Sequence, residues 1–190
     1  MSKFKPGNTL CVLYGLNEGP LIGGQFEQAC TTAGFAIVND PAKADYIFAH
    51  SGGCLLIPPI NQAKTVVLVG IPYWPSRPWL FSTVIKVWRE AKYYHSHHQL
   101  RHWGRKWLYH TYYAFNISAG LQMWRNLSPT KPWNSPQPQV ILRNNEDAYC
   151  SPEVFQIDFR GPRKFVSMQG GHDDCWIHPK RYIRLLQSVA

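Results

Sequence analysis

Ser51 stands at the abrupt end of a short apolar run, between a histidine and two glycines. The run is Tyr46-Ile47-Phe48-Ala49-His50-Ser51-Gly52-Gly53. An apolar run of this length predicts a buried strand. Ala49 and Gly53 lie two positions to either side of the serine, where a sharp strand-to-helix turn leaves no room for large side chains. This spacing of small residues is typical of a nucleophile elbow, which holds a serine hydroxyl clear of the sheet edge.

A histidine and an acid follow in places from which they could assist this serine. His172 comes just after a predicted strand over residues 164–169, in a glycine-containing loop. Asp147 lies in the loop after another predicted strand, 139–143, and Glu146 beside it is the main alternative for the acid. Because the carboxyl ends of parallel strands share one edge of a sheet, we expect the serine, the acid and the histidine to meet there.

The chemistry that these residue types predict is acyl transfer. A serine hydroxyl is a poor nucleophile until a base removes its proton, and histidine, with a pKa of about 6.5, suits that task near neutral pH. A carboxylate on the far ring nitrogen orients the imidazole. The oxyanion needs N–H donors. We expect one from Gly52 and the other from Leu16, in the loop after a predicted strand over 9–14, with Asn17 as the alternative.

Other residues near these positions are less suitable for catalysis. Asp158 is a more distant alternative for the acid, and His178 a poor base because it opens the predicted last helix. His50 is predicted to pack behind the elbow, since neighbouring side chains of a strand point to opposite faces. Asp173 and Asp174 follow the histidine too closely to reach behind its ring, and we expect them to cap the loop or the final helix.

These motifs together resemble those of the α/β-hydrolase superfamily. The resemblance rests on strand 9–14 with its glycine loop, the elbow at Ser51, the acid loop at Asp147 and Gly171-His172, which cover most of the chain outside residues 72–136. The order serine, acid, histidine is also that of the family. The resemblance implies a doubly wound parallel sheet and hydrolysis of an ester, amide or thioester.

Three features depart from the pattern of that family. Ala49 replaces the commoner first glycine of the elbow, which is sterically tolerable. Tyr14 stands where many members carry a histidine before the glycine of the oxyanion loop. The stretch 37–45 is too short for a full helix between strands, which predicts a trimmed sheet.

Composition predicts one α/β domain over residues 1–190. The chain is 45% hydrophobic, enough for one core. Alternating strands and helices predict a doubly wound, mostly parallel sheet of about five to six strands, with helices on both faces and a helical cap insertion. No signal peptide or membrane span is expected. The five scattered cysteines predict a reducing, cytoplasmic location rather than a disulfide framework.

Residues 72–136 differ from the rest and are predicted to form the cap. They hold nine Lys/Arg, a single acid (Glu90), seven of the eight tryptophans and five of the eight histidines. Helical spacing relates Leu100, Trp103, Trp107, His110 and Ala114. This stripe packs on the sheet in one interpretation; in the other, Trp103 and Trp107 wall a substrate pocket whose basic mouth attracts anions.

The histidines of this segment do not predict a metal site. His98 and His102 are one helical turn apart, and His95 and His97 lie nearby, but no carboxylate or cysteine accompanies them. We expect these rings to be solvated or stacked on aromatic side chains.

The sequence therefore predicts a serine hydrolase that acts on a small acyl substrate, anionic or lipid-like, without a cofactor. The alternative is a catalytically silent hydrolase scaffold whose basic, aromatic cap binds nucleic acid or an anionic membrane surface. This binding role ranks second to hydrolysis because no recognised nucleic-acid-binding module is present. The sequence leaves the oligomeric state open.

Overall fold

A six-stranded parallel sheet forms the centre of the molecule. The computed structural model describes residues 7–15, 18, 20–58, 61–72, 80–116, 118, 136–157 and 161–190. The strands in chain order are β1 (Thr9–Leu13), β2 (Ala36–Ile37), β3 (Tyr46–His50), β4 (Thr65–Val69), β5 (Gln139–Asn144) and β6 (Arg163–Met168). Their spatial order is β2-β1-β3-β4-β5-β6, so the chain changes direction across the sheet between β1 and β3.

Helices surround this sheet. The α-helices are α1 (Pro20–Thr32), α2 (Leu80–Ser96), α3 (Leu100–Phe115), α4 (Asp174–Ile177) and α5 (Pro179–Val189), and short 3₁₀ helices cover Pro41–Lys43, Ser51–Leu56 and Pro152–Gln156. Among the described residues, none of the helices has the length and apolarity needed to cross a bilayer.

Strand residues alternate between two hydrophobic clusters, one on each face of the sheet. On one face Phe48 and Leu142 pack with Phe26 of α1, Trp176 of α4 and Tyr182 of α5. The opposite face is built differently. There Ile47, Leu68 and Ile141 pack with Cys54 and Val154, which the 3₁₀ helices contribute. Because each face of the sheet meets one cluster, every residue of β3 and β4 is buried.

The predicted α/β sheet is confirmed, with differences in detail. A 3₁₀ helix, Ser51–Leu56, follows β3 directly at the elbow. β2, at the sheet edge, has two residues, Ala36–Ile37, and a single 3₁₀ turn spans the short connection to β3, as its length required. The basic segment 72–136 lies between β4 and β5, and its described part is dominated by the hairpin of α2 and α3.

The five cysteines are all buried and unpaired. Burial raises the pKa of the Cys11 thiol to about 11 and that of Cys54 to about 12. Both thiols are therefore protonated at neutral pH and serve as packing groups.

Candidate active site

Ser51 occupies a strained turn directly after β3. Its φ is +51°, in the left-handed region that residues with a side chain seldom adopt. Gly53 makes this turn possible. A Cβ on Gly53 would lie 2.3 Å from the carbonyl oxygen of Leu13 and 2.6 Å from that of Tyr14, so only glycine lets the turn approach the end of β1. Gly52, predicted to supply an oxyanion donor, is buried between Ser51 and Gly53.

The loop after β1 meets the elbow at the point where the chain switches direction across the sheet. A Cβ on Gly15 would lie 2.9 Å from both Ser51 Cβ and Glu18 Oε2. The Gly15 N–H donates to Glu18 Oε2 (3.0 Å), and the Glu18 N–H donates back to the Gly15 carbonyl (3.1 Å). This crevice is where parallel α/β sheets commonly bind ligands. Leu16 and Asn17, the predicted oxyanion donors, lie outside the described residues.

His172 and Asp147 form a buried pair beyond the ends of β6 and β5. His172 Nδ1 lies 2.8 Å from Asp147 Oδ2. The other carboxylate oxygen, Oδ1, accepts the N–H groups of Tyr149 (2.8 Å) and Cys150 (3.0 Å). Burial acts to raise the pKa of Asp147, but the His172 charge and these hydrogen bonds hold that pKa below its ordinary value. Glu146, the alternative acid, is exposed.

Gly70, at the end of β4, packs directly against the Asp147–His172 pair. Its φ is +58°, and a Cβ there would lie 2.9 Å from Asp147 Oδ2 and 3.2 Å from His172 Nδ1. Any larger residue would push the acid and the histidine apart. Small or polar groups thus gather beyond the carboxyl ends of five neighbouring strands: β1, β3, β4, β5 and β6.

Solved structures share this architecture over nearly the whole chain. An esterase from Exiguobacterium antarcticum superimposes with a TM-score of 0.61 at 11% identity, covering 96% of this chain and 91% of the esterase. An epoxide hydrolase from Vigna radiata superimposes with a TM-score of 0.57 at 12% identity, covering 96% of this chain and 90% of the epoxide hydrolase. MGS-M2, an α/β-hydrolase enzyme from a Medee basin deep-sea metagenome library, superimposes with a TM-score of 0.58 at 15% identity. The match covers 96% of this chain and 89% of MGS-M2.

The chain has the α/β-hydrolase fold. Comparison of the sequence with protein-family models finds no match, and comparison with curated proteins finds none either. At such low identity the likeness carries the fold, while the roles of individual residues have to be argued from their positions within it.

Within this α/β-hydrolase fold, His50 joins the elbow to the loop between β6 and α4 that carries His172, which we call the histidine loop. Its Nδ1 lies 2.7 Å from Glu18 Oε2 and its Nε2 lies 2.8 Å from the carbonyl oxygen of His172. Both ring nitrogens therefore face oxygens, which suits a doubly protonated ring. Burial acts to lower the pKa of His50, yet its surroundings, including the Glu18 carboxylate, hold that pKa well above the ordinary value. His50 packs behind the elbow, as expected, and Glu18 is a contact that sequence reasoning missed.

The α2–α3 hairpin also holds the histidine loop, and sequence reasoning missed these contacts too. Glu90 Oε1 accepts the N–H of His172 (2.6 Å) and the hydroxyl of Tyr94 (2.9 Å). The Asp173 N–H in turn donates to the Tyr94 hydroxyl oxygen (2.6 Å). Arg105 pairs with the Asp173 carboxylate at 2.7 Å. A signal was present in the sequence: Glu90 is the single acid of residues 72–136.

The expectation that Asp173 and Asp174 act as caps was wrong. Asp173 precedes α4 but makes no side-chain capping bond, and its carboxylate binds Arg105 instead. Asp174 Oδ2 accepts the hydroxyl of Tyr182 at 3.1 Å. The same hydroxyl lies 2.8 Å from Asn144 Oδ1, so these side chains brace the histidine loop from the final helix.

Trp103 and Trp107 lie side by side on α3, with ring centroids 6.4 Å apart. Trp103 also stacks near His95, at 5.6 Å. Trp107 is 45% exposed and Leu100 62% exposed, so this stripe does not pack flat on the sheet. A role in substrate binding stays a prediction. The side chains of His110 and Ala114 lie outside the described part of the structure.

The surface histidines contact aromatic rings, as expected. His97 stacks on Tyr93 with centroids 4.2 Å apart, and His102 lies 5.9 Å from Tyr94. A different set of residues has donor atoms within 4.8 Å of one another: Glu18, His50, His172 and Asp173. Glu18 and His50 bind each other, while His172 and Asp173 bind Asp147 and Arg105. These partners make the set a hydrogen-bonded cluster beyond the carboxyl ends of the strands.

Proposed function

We propose that this chain is a serine hydrolase that cleaves an ester, thioester or amide through an acyl-enzyme. The observation that carries the proposal is the combination of a serine at positive φ after β3 with a buried carboxylate–imidazole pair, Asp147–His172, beyond β5 and β6. Strain at the elbow is expected where a nucleophile must project from the sheet. The α/β-hydrolase fold supports a hydrolase in general terms.

In the proposed acylation step, Ser51 Oγ attacks the acyl carbonyl carbon and its proton passes to Nε2 of His172. Nε2 is the nitrogen available for this transfer because Nδ1 is bonded to Asp147. The Asp147 carboxylate stabilises the imidazolium that forms. The amide of Gly52, with that of Leu16, would stabilise the oxyanion. His172 then returns the proton to the leaving group as the bond to the acyl carbon breaks.

Deacylation repeats these transfers with water as the nucleophile. His172 takes a proton from water as its oxygen attacks the acyl carbon, and then returns that proton to Ser51 Oγ as the ester bond breaks. The products are a carboxylic acid and free enzyme. Every proton moves between the substrate, water, Ser51 and His172, so these steps balance without a cofactor.

Groups beside His172 would contact the substrate first. The Tyr149 ring lies 4.9 Å from the His172 ring and is half-buried. We infer that this aromatic face forms part of the wall around the acyl or leaving group. The predicted basic mouth, with Trp103 and Trp107, would favour anionic or lipid-like substrates.

A fluorophosphonate probe tests the nucleophile directly, because it forms a stable bond to activated serines. Wild type should be labelled and Ser51→Ala should not, whereas the matched variant Ser188→Ala, which removes an exposed hydroxyl on α5, should be labelled normally. Asp147→Asn should slow labelling by about 10³–10⁴-fold. Glu146→Gln should leave the rate unchanged.

Two results would contradict the proposal as a whole, and a third would contradict its choice of acid. Labelling retained in Ser51→Ala would place the reactive group elsewhere. Absence of labelling and of hydrolysis across esters of varied acyl length, in protein that is folded by circular dichroism, would favour the silent scaffold. Equal slowing in Asp147→Asn and Glu146→Gln would overturn the assignment of the acid.

A further inference from the structure

Both helices of the α2–α3 hairpin expose large apolar side chains. On α3, Leu108 is 75% exposed, Phe115 87% and Tyr112 55%. On α2, Trp88 is 54% exposed and Ile85 39%. The buried face of α2 is different, because Glu90, Ala91 and Tyr94 turn inward. We call the exposed residues Ile85, Trp88, Leu108, Tyr112 and Phe115 the outer face of the hairpin.

Cations are interspersed with these apolar groups. Arg89 and Lys92 are exposed on α2, and Arg101 is exposed on α3. Lys92 Nζ lies 5.3 Å from the centre of the Trp88 ring. Helical spacing relates Arg101, Leu108, Tyr112 and Phe115, so charge and apolar surface share one side of α3. Glu90 is the single acid between residues 80 and 115, and it is buried, so the two helices themselves offer these cations no exposed carboxylate.

We propose that the outer face of the hairpin docks on the surface of an anionic lipid bilayer. Aromatic and aliphatic groups of this kind enter the headgroup region, while Lys and Arg beside them contact anionic lipids. Trp and Tyr favour that interface because their rings are amphipathic. Docking is peripheral, and it is independent of the proposed hydrolase chemistry, since it requires neither Ser51 nor His172.

Charge complementarity favours this partner over a second copy of the chain. Two outer faces brought together would oppose their own cations, and like charges disfavour such pairing. Nucleic acid is also less suitable. Aromatic rings can stack on bases, but exposed aliphatic groups such as Leu108 and Ile85 gain little from a phosphate backbone and much from acyl chains.

The geometry allows docking without disturbing the proposed active site. Glu90, Tyr94 and Arg105 face inward and bind the loop at His172 and Asp173. On α2, helical spacing places Ile85, Trp88 and Lys92 on the side opposite Glu90 and Tyr94. On α3, Arg105 shares the stripe of Leu108 and Tyr112, and its guanidinium binds Asp173. Variants of Trp88 and Lys92 should therefore leave hydrolysis of a soluble ester unchanged, which separates failure of the docking proposal from failure of the proposed function.

The test is flotation with vesicles of phosphatidylcholine alone and of phosphatidylcholine mixed with phosphatidylserine. Wild type should float with the mixed vesicles, much less with the neutral ones, and less as salt is raised. Lys92→Gln and Arg101→Gln should each lower partitioning about fivefold. Leu108→Asp combined with Phe115→Asp should abolish it. These positions are exposed, so folding should be retained, as circular dichroism would check.

Matched controls lie outside the hairpin. Leu56→Asp replaces a leucine that is 65% exposed, and Lys180→Gln neutralises an exposed cation on α5; neither should change partitioning. Equal loss in the controls and the outer-face variants, binding to neutral vesicles alone, or no vesicle binding would overturn the proposal. So would sedimentation showing that the Leu108→Asp variant converts a dimer to a monomer, or single-stranded RNA captured through the same residues while vesicles are not.

Discussion

Gly53 shows at the scale of single residues why small side chains flank the serine. Sequence spacing predicted that a larger group would collide within the tight turn. The structure identifies the obstacle as the backbone of β1, whose Leu13 carbonyl lies 2.3 Å from the position a Cβ would take. A carbonyl fixed in a parallel ladder cannot move aside as a flexible side chain can. The strain of Ser51 is thus supported by the close approach of two neighbouring strands.

The space around an added Cβ predicts opposite effects on stability for alanine at two glycines, Gly53 and Gly24. Gly53→Ala should destabilise the fold by about 3 kcal/mol or more, because the clash is with backbone. Gly24→Ala, in α1, should stabilise it by about 0.5–1 kcal/mol, since nothing lies within 4 Å of a Cβ there and alanine favours helix. Urea denaturation would measure both. A Gly53→Ala protein as stable as wild type would show that β1 yields at this point.

At the scale of elements, the α2–α3 hairpin serves the site from its inner side. The histidine loop between β6 and α4 is short, yet its backbone N–H groups are bound by side chains far away in sequence. Glu90 takes the N–H of His172, and Tyr94 takes that of Asp173. Because Glu90 contacts the backbone and not the imidazole, we regard it as a positioning residue for His172.

Replacing Glu90 should therefore affect turnover more than binding. Glu90→Ala leaves the N–H of His172 and the hydroxyl of Tyr94 without this acceptor, so we expect kcat to fall about 10–100-fold while KM changes little. Glu90→Gln retains an oxygen acceptor and should recover much of the loss. Steady-state kinetics on a soluble ester would measure both variants. A rise in KM alone, or no rescue by glutamine, would contradict a positioning role.

At the scale of the whole molecule, the carboxyl and amino ends of the parallel strands have different roles. Residues beyond the carboxyl ends of the strands form the proposed site, while Asp45 ties the opposite edge together. Its Oδ2 accepts the N–H (2.9 Å) and the hydroxyl (2.8 Å) of Thr9, which begins β1. Its Oδ1 pairs with Lys64, before β4, at 2.8 Å. These contacts lower the pKa of Asp45 from 3.8 to about 2.

The lowered pKa of Asp45 predicts how stability depends on pH. A carboxyl with a lower pKa in the folded state contributes its stability fully above about pH 4 and loses it as the pH falls toward 2. Since the group is partly exposed, we expect about 1 kcal/mol. Asp45→Asn should be less stable at neutral pH and lose less stability between pH 4 and 2. Urea midpoints across that range would measure this, and identical slopes would contradict it.

Sequence reasoning succeeded where the signal was local. The runs before Ser51, Asp147 and His172 predicted three of the parallel strands. The first two, β3 and β5, are buried, as their apolar period and length indicate, while β6 is largely exposed. The chain order of the three residues then followed without any tertiary information. Glu18 and His50 show the limit. Their pairing spans 32 residues, and neither residue type indicates which partner a fold will bring near.

By itself, the sequence determined the class of the fold and the strand ends at which polar groups gather, because hydrophobic periodicity and small-residue spacing are local properties of the chain. Only the tertiary structure decided which of these groups touch. It placed Asp147 rather than Glu146 against His172, and it brought Glu90 to a backbone N–H 82 residues away. Such contacts depend on how parallel strands and a helical hairpin pack together in three dimensions, and the spacing of residues along the chain does not encode that directly.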